Sequence, residues 1–269
     1  MWFELRLYLV ALKTLTRCPL PAWVGWKPEW PQRCLRHFPG VGLLVGSGAA
    51  LVLWLCGHAW PALVSVLVSM AFTLWLTGAR HESGWAMVCE RSWPPGREPA
   101  ADDVAAVSGI DWGPRPRALG VAGATALLLM LALKAAALHG LVVRDLAVML
   151  ATMALAHAWS RAGMVLLLWW RHERPGRAAA TPAPAAEPTD GLMLPVALLW
   201  CAVAGAAASL FVPLMALLVA AVAALAVGVV LTAGLRQHTT GRAAAALDAT
   251  QQCCELAVYL AVLACLAQG

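Results

Sequence analysis

Seven apolar runs divide the chain, at residues 41–57, 59–77, 118–133, 146–170, 192–212, 213–235 and 256–267. A helix rises about 1.5 Å per residue, so roughly 20 consecutive apolar residues cross the hydrocarbon core of a bilayer. The first two runs are short by this measure and the last is shorter, so the pattern predicts six spans and a seventh that begins near residue 256. Pro61, Pro195 and Pro213 fall at or near predicted helix starts, where a missing N–H is tolerated, and Pro213 divides the apolar stretch 192–235 in two. Ahead of the first span, Trp2, Leu5, Leu9 and Leu12 share one helical face, which predicts an interfacial helix over residues 2–15. Trp26, Trp30 and other tryptophans near the span ends fit an aromatic belt. Residues 178–188 are an Ala/Pro-rich connector and 92–99 contain three prolines, so both read as loop. The expected fold is an all-α integral membrane protein of six to seven transmembrane helices with cytoplasmic polar loops. It forms a single polytopic domain over 1–269, with an interfacial segment at 1–40, a polar loop at 78–117 and a linker at 171–191.

Composition agrees with the pattern. Hydrophobic residues are 61% and charged residues 12% of the 269, and the mean hydropathy is +0.73. A soluble domain is about half apolar and a quarter charged, so the charges here are too few to cover a soluble globule. The eight cysteines are scattered with no CxxC pair, which argues against a zinc site or a disulfide framework. The N-terminus, with Glu4 and Arg6 among apolar residues and no small-residue cleavage site behind them, does not read as a cleaved leader.

The net charge of +5 matters through its placement. Arg6, Lys13, Arg17, Lys27, Arg33 and Arg36 precede the first span, Arg80, Arg91, Arg97, Arg115 and Arg117 follow the second, and Arg171, Arg174, Arg177, Arg236 and Arg242 occupy the later loops of the same side. Only Lys134 and Arg144 fall on the opposite side. The positive-inside rule then places the N-terminus and the polar loops in the cytoplasm of a cell with the chain in its inner membrane. The acids Glu82, Glu90, Glu98, Asp102, Asp103 and Asp111 lie in the same cytoplasmic loop, with Asp248 and Glu255 near the last one. The spans read as almost empty of charge, Arg161 and His157 excepted. A transporter more often carries ionisable groups near the bilayer midplane, so this distribution favours an enzyme supplied from the cytoplasm. No P-loop, nucleotide fingerprint or serine triad is present, and nothing points to nucleic acid as a partner.

Several residues stand out chemically. Glu82 and Glu90 are two helical turns apart and can share a face, with His81 one residue off it. Arg161, beside Ser160 and a turn after His157, is an ionisable group inside an apolar run and so a candidate for function; the alternative is that it snorkels to the interface. Gln251 and Gln252 are uncharged hydrogen-bonding groups just before the predicted last span. Asp102, Asp103 and Asp111 read as surface acids.

Four collinear stretches together resemble the cobalamin synthase, or adenosylcobinamide-GDP ribazoletransferase, family. They are Leu15-Thr16-Arg17-Cys18-Pro19-Leu20-Pro21, His37-Phe38-Pro39-Gly40-Val41-Gly42-Leu43-Leu44-Val45-Gly46, Thr77-Gly78-Ala79-Arg80-His81-Glu82-Ser83-Gly84, and Leu247-Asp248-Ala249-Thr250-Gln251-Gln252 followed by Glu255. The resemblance implies a membrane transferase of the last steps of cobalamin biosynthesis. A hydroxyl of α-ribazole, or of its 5′-phosphate, attacks the cobinamide-bearing phosphorus of adenosylcobinamide-GDP, and GMP leaves. It also implies Mg²⁺, a lipid bilayer and other late cobalamin-pathway enzymes as partners.

Carried over residue by residue, the resemblance makes Glu82 and Arg161 catalytic, His81, Ser108, Gln251 and Gln252 substrate-binding, and Glu82 and Glu90 metal ligands. Ser83, Met87, Val107 and Ala245 stand where the family carries aspartate. A second reading therefore stays open: a catalytically impaired paralogue that binds corrinoid intermediates or scaffolds the late pathway in the membrane.

Overall fold

A computed structural model of the chain describes residues 2–25, 27, 29–92, 120–172, 191–235 and 243–267. The described residues are helical apart from short connections. We number the main helices α1 (Trp2–Leu15), α2 (Phe38–Cys56), α3 (Ala62–Thr77), α4 (Arg80–Ser92), α5 (Val121–Arg144), α6 (Leu146–His172), α7 (Met193–Ala208), α8 (Leu214–Leu235) and α9 (Ala243–Ala267). Helical turns at Trp30–Arg33 and Cys34–His37 lead into α2. Residues 93–119, including Arg97, Glu98, Asp102, Asp103, Val107, Ser108, Asp111, Arg115 and Arg117, lie outside the described residues, as do the Ala/Pro-rich stretch and Arg174, Arg177, Arg236 and Arg242.

By length and composition, four helical segments are apolar enough to cross a membrane: Trp30–Cys56, Val121–Arg144, Leu214–Leu231 and Ala245–Ala267. A fifth is added if the bent pair Ala62–Thr77 and Arg80–Glu90 counts as one span. The expected six to seven helices are thus present as helices, but not all are uniformly apolar crossing segments. The physical reasons are specific. Helix α7 has only 16 residues. Helix α6 has 27, yet it carries His157, Ser160 and Arg161 in its middle. The largest difference from the hydropathy pattern is α9, which starts at Ala243 rather than near residue 256. Its polar first half is helical because Asp248, Thr250, Gln251 and Gln252 are buried with their hydrogen bonds made, Asp248 and Gln252 to His81 and Glu82 of α4, Gln251 to Glu255 and Thr250 to the Ala246 carbonyl of α9 itself. Outward-facing leucines and valines such as Leu128, Leu210, Leu214 and Val230 give the bundle an apolar exterior suited to lipid.

Two features position the site. Helices α2 and α6 pack backbone to backbone across Gly42 and Gly46. A Cβ on Gly42 would lie 2.1 Å from the His157 carbonyl oxygen and 2.8 Å from Arg161 Cδ, and one on Gly46 would lie 2.8 Å from Ala154 Cα. This small-xxx-small spacing lets two helices approach closely where apolar burial alone gives no drive to associate. The second feature is the break between α3 and α4, an 88° bend. It is made by Gly78 and Ala79, both left-handed with φ of 71° and 53°, which swing α4 across the end of the bundle and against α9.

Helix α1 packs on the bundle through one face and leaves part of another outward. Leu7, Val10, Ala11 and Leu15 are buried against residues of α2, α6 and α7, whereas Trp2 is 71% exposed and Leu5 is also outward. Helix α1 is apolar on both sides, one for protein and one for its surroundings, so a single apolar stripe does not tell which face packs. Glu4 anchors it by accepting from Arg36 Nη2 at 2.6 Å and from His37 Nε2 at 3.0 Å, while Trp200 Nε1 on α7 donates to His37 Nδ1 at 3.2 Å.

Candidate active site

The bend at Gly78–Ala79 aims the first turn of α4 at the polar half of α9. Gly84 permits the approach: a Cβ there would sit 2.3 Å from Asp248 Cβ. His81, 2% exposed, donates through Nδ1 to Asp248 Oδ1 at 2.8 Å, and Arg80 Nε lies 3.7 Å from Asp248 Oδ2. Gln252 Nε2 donates to Glu82 Oε1 at 2.7 Å. From α5, Lys134 Nζ reaches Gln252 Oε1 at 2.7 Å and Glu255 Oε1 at 3.0 Å. Glu255 also accepts from Gln251 Nε2 at 2.5 Å and from the Tyr259 hydroxyl at 3.3 Å.

Helix α6 completes the cluster. Arg161 is fully buried, and its Nη1 donates to the His157 carbonyl at 2.8 Å and to His157 Nδ1 at 3.2 Å. Its Nε and Nη2 have no hydrogen-bond partner among the described residues. These two N–H groups form the side-on fork of a guanidinium, the geometry that takes two oxygens of one phosphate. His81 Nε2, Glu82 Oε2 and Gln251 Oε1 are likewise buried without a partner among the described residues. Unpaired buried polar atoms are few in a folded protein, and these five belong to residues that converge on one another through α9, while others among the described residues, such as Trp30 Nε1, His139 Nδ1 and Thr152 Oγ1, lie elsewhere. An almost wholly apolar groove of about 690 Å³, lined in part by Trp85, Leu129, Leu133, Val227, Cys253 and Leu256, runs alongside.

The structure brings together His81, Glu82, Arg161, Gln251 and Gln252 of the residues singled out in the sequence. Glu90 lies apart from this cluster, two turns further along α4. Its Oε2 accepts the Gly123 N–H at 2.6 Å, and its carboxylate lies against Gly120. Glu90 thus caps the N-terminus of α5, where a negative charge also meets the positive end of the helix dipole. We expect Glu90→Ala to lower stability by about 1 kcal/mol, the usual scale of a lost cap, and to leave turnover largely intact; a melting curve and an assay of the same sample check both. Ser108 lies outside the described residues. Arg161 does not snorkel to a surface.

Lys134, Asp248, Glu255 and Tyr259 join the site although the sequence does not single them out for it. The apolar run before Lys134 ends at residue 133, a pattern that points to an outer loop, but Lys134 lies within α5 and is 6% exposed. The spans are therefore not empty of charge. A signal exists in α9: positions 248, 251, 252, 255 and 259 recur at helical spacing and form one polar stripe, visible once the segment is known to be helical.

Among the described residues, no group of three or more His, Cys, Asp or Glu side chains is placed to hold a metal ion. Ser83 donates to the Ala79 carbonyl at the bend and Met87 is exposed, so the outward face of α4 at these two positions has no carboxylate. A closed protein cage for Mg²⁺ is thus not built among the described residues. The donor set fits the other common arrangement, in which Mg²⁺ keeps waters and substrate phosphate oxygens and takes a single carboxylate, with Glu82 Oε2 as the buried oxygen left without a partner.

The helices and the buried polar cluster define an all-helical, polytopic membrane protein with a set of buried hydrogen-bonding and charged groups inside its bundle. The profile of the cobalamin-5-phosphate synthase family matches residues 7–101 and 115–263, and the chain belongs to that family. It is 40% identical over 263 residues to an adenosylcobinamide-GDP ribazoletransferase of Leptothrix cholodnii, covering 97% of this chain and 96% of that one. It is 34% identical over 269 residues to the protein of the same name from a Polaromonas species, covering 95% of each. A third, from Ralstonia nicotianae, is 37% identical over 180 residues, 66% of each chain. No solved structure matches the chain.

Proposed function

We propose that this protein is an adenosylcobinamide-GDP ribazoletransferase of the cell inner membrane, joining adenosylcobinamide-GDP to α-ribazole or its 5′-phosphate with release of GMP. The observation that carries the reading is the fully buried Arg161, its Nε and Nη2 unpaired, held beside a set of oriented hydrogen-bonding groups in a family whose curated relatives bear that name. The shared name supports catalysis over the alternative of an impaired corrinoid-binding paralogue.

Phosphoryl transfer asks a protein mainly to position two reactants and to neutralise charge on the group in flight. Arg161 holds the phosphate at which the hydroxyl attacks, through its two free N–H groups. His81, oriented by Asp248, and Gln251 hold the hydroxyl-bearing partner against it. Glu82 belongs to the same site as the carboxylate that would hold Mg²⁺. When bound, the ion supplies further neutralisation of the phosphate oxygens. In this reading the N-terminus and the loops at 78–117 and 171–191 face the cytoplasm, where both soluble substrates arrive, and other late-pathway enzymes are within reach of that face.

The test is turnover by purified protein in liposomes, given adenosylcobinamide-GDP, α-ribazole phosphate and Mg²⁺, with GMP and cobamide followed together. Product that disappears with EDTA and returns with added Mg²⁺ is the expected result. Glu82→Gln is expected to abolish it. Full activity in that variant removes Glu82 from the metal, and the absence of product from folded wild-type protein removes the reading altogether.

A further inference from the structure

Two glutamine side chains in the site have their amide orientation dictated by charge. An ammonium group can only donate, so the Gln252 atom 2.7 Å from Lys134 Nζ is its oxygen. The Gln252 NH₂ then points at Glu82 and donates to Oε1 at 2.7 Å. An ionised carboxylate can only accept, so the Gln251 group that meets Glu255 Oε2 is its NH₂, which also reaches Ser160 Oγ at 3.2 Å. Gln251 Oε1 therefore faces away from Glu255, buried and without a partner among the described residues. Lys134 and Glu255 are joined to each other at 3.0 Å and both are nearly fully buried. Buried ion pairs add little net stability compared with apolar side chains of the same volume. This pair has a directional consequence that an apolar pair would not.

We propose that the Lys134–Glu255 ion pair is a positioning device: it sets the polarity of Gln251 and Gln252, so that Gln251 Oε1 is presented as an acceptor to a hydroxyl or amide N–H of the substrate and Glu82 keeps Oε2 turned to the site. The inference rests on the proposed transferase reading and deepens it. The ligand it describes carries a phosphate for Arg161 and, beside it, a neutral hydrogen-bond donor for Gln251. Neither Lys134 nor Glu255 touches the reacting atoms. Each acts through a glutamine.

The test exploits direction. Exchanging the partners, Lys134→Glu together with Glu255→Lys, keeps an ion pair but inverts what each glutamine faces. Gln252 would turn its oxygen toward Glu82, and Gln251 would turn its NH₂ toward the substrate. We expect the exchanged protein, checked by size exclusion and thermal melting in detergent, to lose about 10- to 100-fold in kcat/KM, the scale of a misdirected buried hydrogen bond. Binding of adenosylcobinamide-GDP and of α-ribazole phosphate, each followed by titration calorimetry, should weaken for at least one of them. Recovery of the exchanged protein to within about threefold of wild type would mean that the pair is only structural and would overturn the proposal.

If the exchanged protein does not fold, Gln251→Leu decides, because it leaves the ion pair in place and removes the acceptor together with the amide donor to Glu255 and Ser160. A folded Gln251→Leu protein with undiminished affinity for both substrates overturns the proposal; one with the same loss of about 10- to 100-fold sustains it. Binding is measured separately from GMP release for a reason. Wild-type protein that binds the substrates without turning them over would refute the transferase reading while the affinities still decide the positioning role. Wild-type protein that binds neither refutes both.

Discussion

Replacing Arg161 with Met is expected to remove turnover, lowering kcat/KM by about 100- to 1,000-fold, the range seen when one preorganised donor to a developing charge is lost. Arg161→Lys is the informative companion. It keeps the charge, but a lysine offers a point charge on a flexible stem in place of two fixed N–H groups. The free atoms of Arg161 are Nε and Nη2, while Nη1 is committed to His157. A lysine can therefore replace the charge and not the fork, and Arg161→Lys should stay close to the Met variant in activity while matching wild type in stability. Initial rates of GMP release and a melting curve on each protein check this. An Arg161→Lys protein with wild-type rates would show that charge alone serves and that the bidentate seat is unused.

The second large effect is structural. Gly42→Val should destabilise the protein by about 3 kcal/mol or more, beyond the common range for overpacked cores, because what it strikes is backbone. Its Cβ would meet the His157 carbonyl oxygen, which cannot rotate away, so α2 and α6 must separate. That carbonyl is also the group that holds Arg161 Nη1. Activity should fall with stability, and by more than the loss of folded protein explains. The control is Gly48→Val on the same helix. There a Cβ meets only the ring of Phe72 at 3.4 Å, an ordinary contact, so the change should be mild. Thermal unfolding in one detergent, with activity measured on the folded fraction, separates the two outcomes. Equal tolerance at both positions would mean that the close helix approach is not required.

The pattern of apolar runs is enough to read the helical membrane class, and five of the seven runs fall on helices with ends near those expected, while α5 runs on to Arg144 and α9 starts at Ala243. Hydropathy works well here because a lipid-facing helix must be apolar along its length. It fails where a helix is wrapped by other helices. The first half of α9 is polar and reads as loop, yet it lies among α4, α5, α6 and α8. Its hydrogen bonds are satisfied by partners remote in sequence, such as His81 and Lys134. The same limit displaces Lys134 to an outer loop, since a residue's partner cannot be read from its own neighbours in the chain.

The site divides along the same line. Glu82, His81, Arg161 and the glutamine pair are legible because they sit in short motifs or stand out as polar groups in apolar surroundings. Glu90 looks equivalent to Glu82, two turns further along one helix. The tertiary structure separates them, putting one against Gln252 and the other on the first turn of α5. Local sequence alone determined which residue types were available and that the chain would be helical and membrane-embedded. The fold decided which of them meet, because the bend at Gly78–Ala79 and the close approaches at Gly42, Gly46 and Gly84 are what bring α4, α6 and α9 within hydrogen-bonding distance.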